Sequence, residues 1–426
     1  MRQRKIAIMG LGTVGGGAYD ILTENREYIQ ATQGIDVTVA AILDRTSAPL
    51  QARGISADLF CDNIDKLAAN PDIELVIETM GGVEPAKTFI IKLLENGKSV
   101  VTANKELLAK HWSELEPIAQ KHGCGLFFEA SCVGGVPIIR AIGESFQGDK
   151  VRSIYGIING TTNYILSKMS SENLDYAQAL KQAQSLGFAE ADPTSDVEGY
   201  DAAYKLSILA SLAFHTCVPY ASIYREGITK VTAQDIKNAH ALGYEIKLIA
   251  IGTRDGDSVE ARVHPLFVPS DHPLAAVSGA YNAVYLNGDN VGDLMFYGAG
   301  AGARPTGSAI VSDVIKALTG KPKYTDFDNN GRLSDGIDFI GDFMSGYYIC
   351  VTVDDKTGVL SKISTVLSDN GVSIKSAIQR AGEGDTATLL FLTHKAREHS
   401  VMHALDTISK LATVRSIDSM KTRKSL

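Results

Sequence analysis

The stretch KIAIMGLGTVGGGAYDIL, residues 5–22, decides the fold of the first part of the chain. Its first five residues predict a buried strand, and residues 18–30 predict a helix. Between them lies the pattern G-x-G-x-x-G, in which a tight turn and a helix N-terminus can receive a pyrophosphate. A glycine-rich turn that only serves packing is the alternative, but the flanking strand and helix favour a dinucleotide site. The residues predicted to form this site are Gly10, Gly12, Thr13, Val14 and Gly15.

Outward from this turn, apolar strands alternate with helices up to about residue 140. Further strands are predicted at 37–43, 73–77, 99–102 and 126–128, with helices at 86–96 and 105–122. Such alternation is typical of a parallel sheet with helices on both faces. The predicted fold class is therefore α/β, with a Rossmann-type dinucleotide-binding domain over residues 1–140.

Beyond residue 140, two further domains are predicted. Residues 141–299 combine strands with apolar helices and indicate an α+β domain, and residues 300–320 are predicted to return to the first domain. Residues 321–346 are rich in Gly, Asp, Asn and Lys, which indicates a linker. The order βαββαβ over residues 347–426 predicts a small ferredoxin-like domain.

The end of the second strand bears on the choice of cofactor. Asp44 could accept a hydrogen bond from the ribose 2′-OH of NAD, whereas Arg45 could hold the 2′-phosphate of NADP. NADP is favoured slightly because Arg45 is adjacent, and an exposed strand end is the alternative. The run GAGAGARPTG, residues 298–307, is either a second backbone surface against the cofactor or a tight loop before a helix. Thr79 and Gly302 complete the candidate cofactor residues.

Composition limits the classes of partner. The formal net charge is −8, and the basic residues cluster only in the short KTRK at 421–424, so nucleic acid is not an expected partner. No apolar run is long enough to span a membrane. Five scattered cysteines form no C-x-x-C pair, which indicates neither a disulfide framework nor a zinc site and favours a reducing cytoplasm.

The segment GFAEADPTSDVEGYDAAYKLSIL, residues 187–209, places five acids ahead of an apolar helix. A calcium loop is excluded because the pattern D-x-[DN]-x-[DN]-G is absent and a proline interrupts the acids. Asp201 and Lys205 stand four residues apart on one helical face, where a surface ion pair is the ordinary alternative. A lysine that enters so apolar a helix would lose part of its hydration, and this makes it a tunable acid or base.

A second lysine, Lys105, opens a helix directly after a strand, at the edge of the predicted parallel sheet where ligands bind. Two lysines, several acids and a dinucleotide fold suggest hydride transfer to or from a carbonyl, with a lysine ammonium protonating the nascent alkoxide. Glu129 stands at a strand end before glycines. It could cap the loop or coordinate a cation with nearby carbonyls, and capping is favoured from the residues alone.

Several segments together resemble the homoserine dehydrogenases of the monofunctional type with a C-terminal ACT domain. They occur in family order and are, besides residues 187–209, GLGTVGGG, ETMGG, VTANKELLA, EASCVGGVPII, NGTTNYIL and GAGARPTG. VTVDDKTGVLSKISTVLSDNGVSI looks like an ACT domain, which would account for residues 347–426. The resemblance implies NAD(P)-dependent interconversion of L-homoserine and L-aspartate 4-semialdehyde, in threonine, methionine and isoleucine biosynthesis.

The same resemblance implies roles for individual residues. Lys205 would be the general acid/base, with Lys105 near the substrate and the nicotinamide. Glu190 and Asp201 would bind the ammonium group of the substrate, and Asp196 would support the pocket. Gly187 completes the residues implied in substrate binding. A sodium or other monovalent cation would be held by Glu129, Cys132, Gly134 and Val136.

The resemblance also implies a homodimer or homotetramer formed through the sheet of the second domain, and a threonine effector near residues 354–360 of the ACT domain. Two alternatives stay open from the sequence. One is a reductase of another small amino-acid or oxo-acid carbonyl, and the other is a non-catalytic sensor of NAD(P) and an amino acid. The chain has both candidate lysines and both acids that would bind the substrate ammonium group, which favours an enzyme. These residues are Lys105, Lys205, Glu190 and Asp201.

Overall fold

The computed structural model describes residues 3–325, 336–382 and 384–422. The strands are β1 Gln3–Met9, β2 Asp36–Leu43, β3 Phe60–Cys61, β4 Ile73–Glu78, β5 Ser99–Thr102, β6 Leu126–Phe127, β7 Val151–Ile157, β8 Tyr224–Arg225, β9 Tyr244–Asp255, β10 Ser258–Pro269, β11 Tyr281–Gly288, β12 Gly292–Ala299, β13 Asp338–Phe339, β14 Met344–Asp354, β15 Ile374–Ala381, β16 Thr386–Thr393, β17 Ala396–Arg397 and β18 Val414–Thr422. The helices are α1 Thr13–Glu24, α2 Arg26–Gln33, α3 Ala48–Ala52, α4 Ile64–Ala69, α5 Ala86–Glu95, α6 Lys105–Lys121, α7 Ile138–Arg140, α8 Gly160–Glu172, α9 Tyr176–Ser185, α10 Thr194–Val197, α11 Tyr200–Phe214, α12 Ala233–Ala241, α13 Ala303–Thr319, α14 Val359–Asp369 and α15 Glu398–Ser409. None of the helices described is long and apolar enough to cross a membrane.

The first sheet has the order β3-β2-β1-β4-β5-β6, and every neighbouring pair is parallel. This is the order of a doubly wound dinucleotide-binding sheet. The strand order reverses between β1 and β4, which leaves a crevice at the carboxyl edge of the sheet. β4 and the last four residues of β1 are almost fully buried because helices cover both faces. The predicted Rossmann-type fold is confirmed.

The first helix differs from its prediction. It begins at Thr13, not at residue 18, and the predicted span 18–30 is divided between α1 and α2 at Asn25. Glycine is a poor helix former, so the three consecutive glycines at 15–17 predict a turn and not a helix. Helix packing overrides that preference, because a Cβ on Gly17 would lie 2.1 Å from the carbonyl oxygen of Ala303 in α13. On its other side this contact involves Ala303, the first residue of α13.

The second domain contains the antiparallel strand order β12-β11-β7-β9-β10. Helix α11 packs against this sheet, and its residues from Asp201 to Phe214 are buried. β9 pairs with β10 along their whole length in one hairpin, and β11 pairs with β12 in a second. The α+β class predicted for this domain is confirmed.

The C-terminal domain has the strand order β18-β14-β16-β15, with α14 and α15 in the βαββαβ order of a ferredoxin-like fold. Its sheet continues into the second domain, because Leu266 and Phe267 of β10 pair with the last two residues of β18. The predicted linker 321–346 lies partly outside the described residues. Its described part already contains β13 and the start of β14. The domain limits given above stay predictions.

Candidate active site

Asp201 lies at the centre of a buried cluster, where α6 of the dinucleotide-binding domain meets α11 of the second domain. Its Oδ2 accepts a hydrogen bond from Lys205 Nζ at 2.6 Å, and its Oδ1 lies 3.1 Å from Lys105 Nζ. Lys205 also donates to the carbonyl oxygen of Ile158 at 2.8 Å. Asp201 and Lys205 are buried, whereas the Lys105 side chain is 42% exposed. The structure thus brings the two predicted lysines onto one carboxylate and leaves one ammonium group accessible.

The charges of this cluster stabilise one another. Burial alone would raise the pKa of Asp201, but the two neighbouring lysines outweigh burial and hold it well below its usual range. In turn, the charge of Asp201 is the largest cause of a raised pKa at Lys105. Asp201 is therefore a permanent anion, and Lys105 remains an ammonium group at neutral pH.

Asn159 completes the cluster, and the sequence reasoning missed it. Its Oδ1 accepts from the backbone N–H of Thr162 at 2.8 Å and caps α8. Its Nδ2 donates to Asp196 Oδ1 at 2.7 Å and to Asp201 Oδ2 at 2.9 Å. The Asn-Gly-Thr-Thr pattern signals a helix cap. It gives no sign that the other end of the amide meets two acids far along the chain.

The other predicted substrate residues are distributed unevenly. Asp196 is half-buried beside the cluster, and burial together with the charge of Asp201 raises its pKa. Glu190 is exposed, and within the described part of the chain its carboxylate makes no hydrogen bond to the cluster. Gly187 is also exposed and follows α9 with a φ of +76°. The structure therefore places Asp196 close to Lys105 and Lys205, whereas Glu190 and Gly187 do not contact either lysine.

The glycine-rich turn is shaped as a dinucleotide site requires. Gly10 has a φ of +87°, and a Cβ on Gly15 would lie 2.1 Å from the carbonyl oxygen of Gly10. A Cβ on Gly12 would meet no described atom within 4 Å, which leaves space above the first turn of α1. Thr79 donates from Oγ1 to the carbonyl oxygen of Gly10 at 2.7 Å and so fixes the turn to the end of β4.

Three further residues predicted to contact the cofactor lie near this turn. Thr13 is exposed and Val14 half-buried in the first turn of α1, which no side chain in the described residues caps. Its N–H groups can therefore receive an anion. Gly302 precedes α13 with a φ of +120°, next to Ala303, which contacts α1 at Gly17.

Asp44 and Arg45 differ in their availability. Asp44 accepts from the backbone N–H of Leu11 at 2.9 Å and from that of Arg45 at 2.7 Å, one bond at each carboxylate oxygen. The Arg45 side chain is exposed and forms no ion pair with any described residue. An acid already bound to the turn is a poorer partner for a ribose hydroxyl than one that is free, and a free arginine suits a phosphate.

Glu129 is buried, and its carboxylate accepts from the backbone N–H groups of Ile139 at 2.9 Å and Arg140 at 2.8 Å. Burial, followed by the nearby charge of Asp313, raises its pKa to about 7. These contacts match the capping interpretation. In the described residues no group of three or more His, Cys, Asp or Glu side chains is placed to hold a metal ion.

The other members of the predicted cation site surround the start of the glycine-rich run at 298–302. A Cβ on Gly134 would lie 2.7 Å from the carbonyl oxygen of Gly300, and the carbonyl of Val136 accepts from Ile138 at 2.8 Å. Cys132 is fully buried, which raises the pKa of its thiol to about 12. The thiol is therefore not a thiolate ligand, and Cys132 could bind a cation only through its main-chain oxygen.

Family models match three parts of the chain. Residues 10–129 match the NAD-binding domain of homoserine dehydrogenase, residues 137–315 match homoserine dehydrogenase itself, and residues 347–413 match the ACT domain. The homoserine dehydrogenase of Mycobacterium tuberculosis is 42% identical over 97% of this chain and 96% of its own length. These matches cover all three domains.

Solved structures agree with the sequence relatives. A homoserine dehydrogenase from Thiobacillus denitrificans superposes with a TM-score of 0.92 at 36% identity and covers 99% of both chains. A hyperthermophilic archaeal homoserine dehydrogenase, solved in complex with NADPH, has a TM-score of 0.65 at 29% identity over 74% of this chain and 98% of its own. The chain belongs to the homoserine dehydrogenases, oxidoreductases with an NAD-binding domain, a catalytic domain and here a C-terminal ACT domain.

Proposed function

We propose that Lys205 moves the proton in the reaction of this family, the interconversion of homoserine and aspartate 4-semialdehyde. The observation that carries the proposal is the position of Lys205 Nζ, bound to Asp201 and to the carbonyl oxygen of Ile158 beside the exposed ammonium group of Lys105. A nicotinamide cofactor, when bound, exchanges a hydride with C4 of the substrate. During reduction Lys205 donates a proton to the C4 oxygen, and during oxidation it removes that proton.

Lys105 would act by charge in the same site. It starts α6 after β5, at the carboxyl edge of the sheet to which the glycine-rich turn also belongs. An ammonium group there stabilises negative charge that develops on the C4 oxygen. The two lysines would thus have different roles. Lys205 exchanges the proton, and Lys105 stabilises the negative charge on the C4 oxygen.

Carboxylates would hold the ammonium group of the amino-acid substrate. Asp201 is a permanent anion, and Asp196 has one oxygen bound to Asn159 while its other oxygen has no hydrogen-bond partner among the described residues. Glu190 is exposed and can turn towards a ligand. We therefore keep Glu190, Asp201 and Asp196 as the proposed substrate-binding acids, with Gly187 in the loop that precedes them.

Replacement of Lys205 by alanine tests the proposal. The variant should fold, bind the cofactor with the affinity of the parent and lose homoserine-dependent absorbance change at 340 nm. Lys168→Ala is a matched control, because this lysine contacts residues of its own helix, with an i,i+4 pair to Glu172 and its ammonium group over the ring of Tyr164. Turnover of Lys205→Ala at the parent rate would refute the assignment.

We propose NADP as the preferred cofactor over NAD. The support is the exposed Arg45, the commitment of Asp44 to backbone N–H groups, and the NADPH complex of the archaeal relative. Comparison of kcat/KM for the two cofactors decides the preference. Arg45→Ala should lower kcat/KM with NADP and leave kcat/KM with NAD unchanged.

A monovalent cation, if it binds at residues 129–136, would be held by main-chain carbonyls of Cys132, Gly134 and Val136. The carboxylate of Glu129 would be the fourth ligand, since each of its oxygens accepts a single N–H group and keeps a lone pair for the cation. Exchange of sodium for choline in the assay buffer tests this proposal. An unchanged rate and an unchanged melting temperature would refute it.

We further propose a homodimer, or a homotetramer built from two such dimers, formed through the sheet of the second domain. Tyr281, Met295 and Tyr297 are exposed on the outer strands β11 and β12, where large apolar side chains suit a partner surface. Analytical ultracentrifugation of the full chain gives the mass. A concentration-independent monomer would refute the proposal.

The ACT domain suggests regulation by an amino acid, with threonine as the first candidate, near residues 354–360. Gly358 precedes α14 with no side-chain cap in the described structure, and Leu360 is exposed. Calorimetry that shows no heat with threonine would count against this effector. We also infer a reducing cytoplasm as the location, which suits five free cysteines.

A further inference from the structure

A short segment at residues 224–228 connects the ACT domain to the acidic turn in front of α11. We call it the bridging segment. Its strand β8 lies beside β10, and Glu226 donates its N–H to the carbonyl oxygen of Val263 at 2.8 Å. Ile228 donates to the carbonyl oxygen of Val197 at 2.8 Å. A Cβ on Gly227 would lie 2.3 Å from the same oxygen, so the segment and the turn are in close contact.

Arg225 holds both sides of that turn. Its guanidinium carbon lies 3.4 Å from the ring centroid of Tyr200, and its Nη1 donates to the carbonyl oxygen of Glu198. Between these two residues, Gly199 has a φ of +78° and starts α11. Arg225 therefore fixes the point from which α11 begins, and Asp201 lies in the first turn of that helix.

The other side of the bridging segment meets a closed charge cluster of the ACT domain. Lys421 in β18 donates to the hydroxyl of Tyr224 at 3.0 Å and to the carboxylate of Glu226, and lies 3.4 Å from Glu398 of α15. The hydroxyl of Tyr347 donates to Glu398. The Lys421 side chain is only 6% exposed, and a buried charge keeps its partners because separation is costly.

We propose that Arg225 is a positioning residue for homoserine turnover, and that it couples the turn at Gly199 to the Lys421 cluster of the ACT domain. The inference rests on the proposed roles of Asp201 and Lys205. A shift of the bridging segment moves the start of α11, and with it the distance between Lys205 on α11 and Lys105 on α6. A displacement of about 1 Å at such a site can cost roughly 100-fold in rate.

Two substitutions of Arg225 test the positioning role. Arg225→Met removes both contacts, and Arg225→Lys keeps the charge but loses the planar group that stacks on Tyr200. We expect kcat for homoserine to fall about 10- to 100-fold in both, while the dissociation constant for NADPH stays within about twofold of the parent. A lysine that restored the parent kcat, or parent kcat in the methionine variant, would overturn the proposal.

The matched control is Arg26→Met. Arg26 pairs with Asp36 at the start of β2, the opposite edge of the sheet from the glycine-rich turn. Its loss should leave kcat and both KM values unchanged. If Arg225→Met does not fold, the result for Arg225→Lys decides, because that variant keeps the buried part of the side chain and its charge.

A double-mutant cycle tests the coupling to the ACT domain. Lys421→Met should lower kcat/KM several-fold, and the double variant with Arg225→Lys should lose less than the product of the two single losses, because both act on one turn. Multiplicative losses, or a parent-like Lys421→Met, would refute the coupling. An active Lys205→Ala would instead refute the proposed site, whereas an inactive Lys205→Ala with parent-like Arg225 variants would refute only this inference.

Discussion

Two buried lysines stand at two junctions of the chain, and their surroundings are unlike. At the junction of the first two domains, Lys205 shares the single carboxylate of Asp201 with Lys105. At the junction with the ACT domain, Lys421 contacts the carboxylates of both Glu226 and Glu398. In the first cluster the Lys105 side chain is 42% exposed, whereas in the second the side chain of Lys421 is 6% exposed, that of Glu398 10% and that of Glu226 31%.

This difference separates a site that can react with a ligand from one that can affect turnover only through the structure around it. In the first cluster two ammonium groups contact the carboxylate of Asp201, and the Lys105 side chain is partly exposed. Such a cluster can stabilise negative charge that develops on a ligand. In the second cluster the lysine itself is buried among carboxylates and has no exposed group for a ligand. The comparison leads to four predictions.

The largest expected effect is on turnover. Lys205→Met should lower kcat by roughly 10²- to 10⁴-fold, the usual worth of a positioned proton-transfer group. Lys421→Met, the same change at the closed cluster, should cost less than about tenfold, because it acts on the site only through the bridging segment. Steady-state assays with homoserine measure both. Equal losses in the two variants would erase the proposed distinction.

The second prediction reverses the ranking for stability. Lys421→Met leaves the buried Glu398 and the partly exposed Glu226 without their cation and should lower the free energy of unfolding by about 3–5 kcal/mol. Lys410→Met is the control, since Lys410 forms an exposed i,i+4 pair with Asp406. That pair should be worth less than about 1 kcal/mol. Urea unfolding followed by circular dichroism gives both values.

The third prediction concerns the open lysine. Lys105→Met removes a half-exposed cation, so the protein should lose less than about 1 kcal/mol of stability. Its kcat should nevertheless fall about 10- to 100-fold, because the developing oxygen charge loses its partner. If Lys105→Met lost stability but kept the parent kcat, the role of Lys105 would be structural and the prediction would be wrong.

The smallest expected effect is a slope in the stability–pH profile. Glu129 and Asp313 form a third buried cluster with Arg140, and burial raises their pKa values to about 7 and about 6. Between about pH 5 and pH 7 the folded chain therefore binds protons that the unfolded chain has released, so stability falls as pH rises. Each such proton contributes about 1.4 kcal/mol per pH unit.

Asp313→Asn should flatten this slope, because it removes one titrating group and the charge that raises the pKa of Glu129. Asp72→Asn is the control, since its exposed carboxylate pairs with Lys5 and its lowered pKa places its titration below this window. Thermal unfolding from pH 5 to pH 8 measures the slopes. An unchanged slope in Asp313→Asn would contradict the assignment.

Local patterns predicted the fold better than its details. The G-x-G-x-x-G turn and the alternation of strands and helices are short-range signals, so the Rossmann-type sheet and the βαββαβ domain were predicted correctly. The start of α1 was not, because the packing of Gly17 on α13 is a contact between residues far apart in sequence. The continuation of the sheet from β10 to β18 was missed for the same reason.

The candidate site shows the same limit. Asp201 and Lys205 are four residues apart on one helix, and their pair could be predicted from that spacing. The resemblance implied that Lys105 lies near the substrate, but its contact with Asp201 across two domains needed the structure. Asn159 carried only the pattern of a helix cap, so its second role could not be predicted from the sequence.

Chemical rescue of Lys205→Ala by a small amine tests the central claim most directly. If Lys205 moves the proton, methylamine should enter the space left by its side chain and restore homoserine-dependent reduction of NADP in proportion to the amine concentration. Lys105→Ala assayed beside it should not recover in the same way, because its proposed role is electrostatic. Failure of every small amine to restore Lys205→Ala, with recovery of Lys105→Ala instead, would contradict the account.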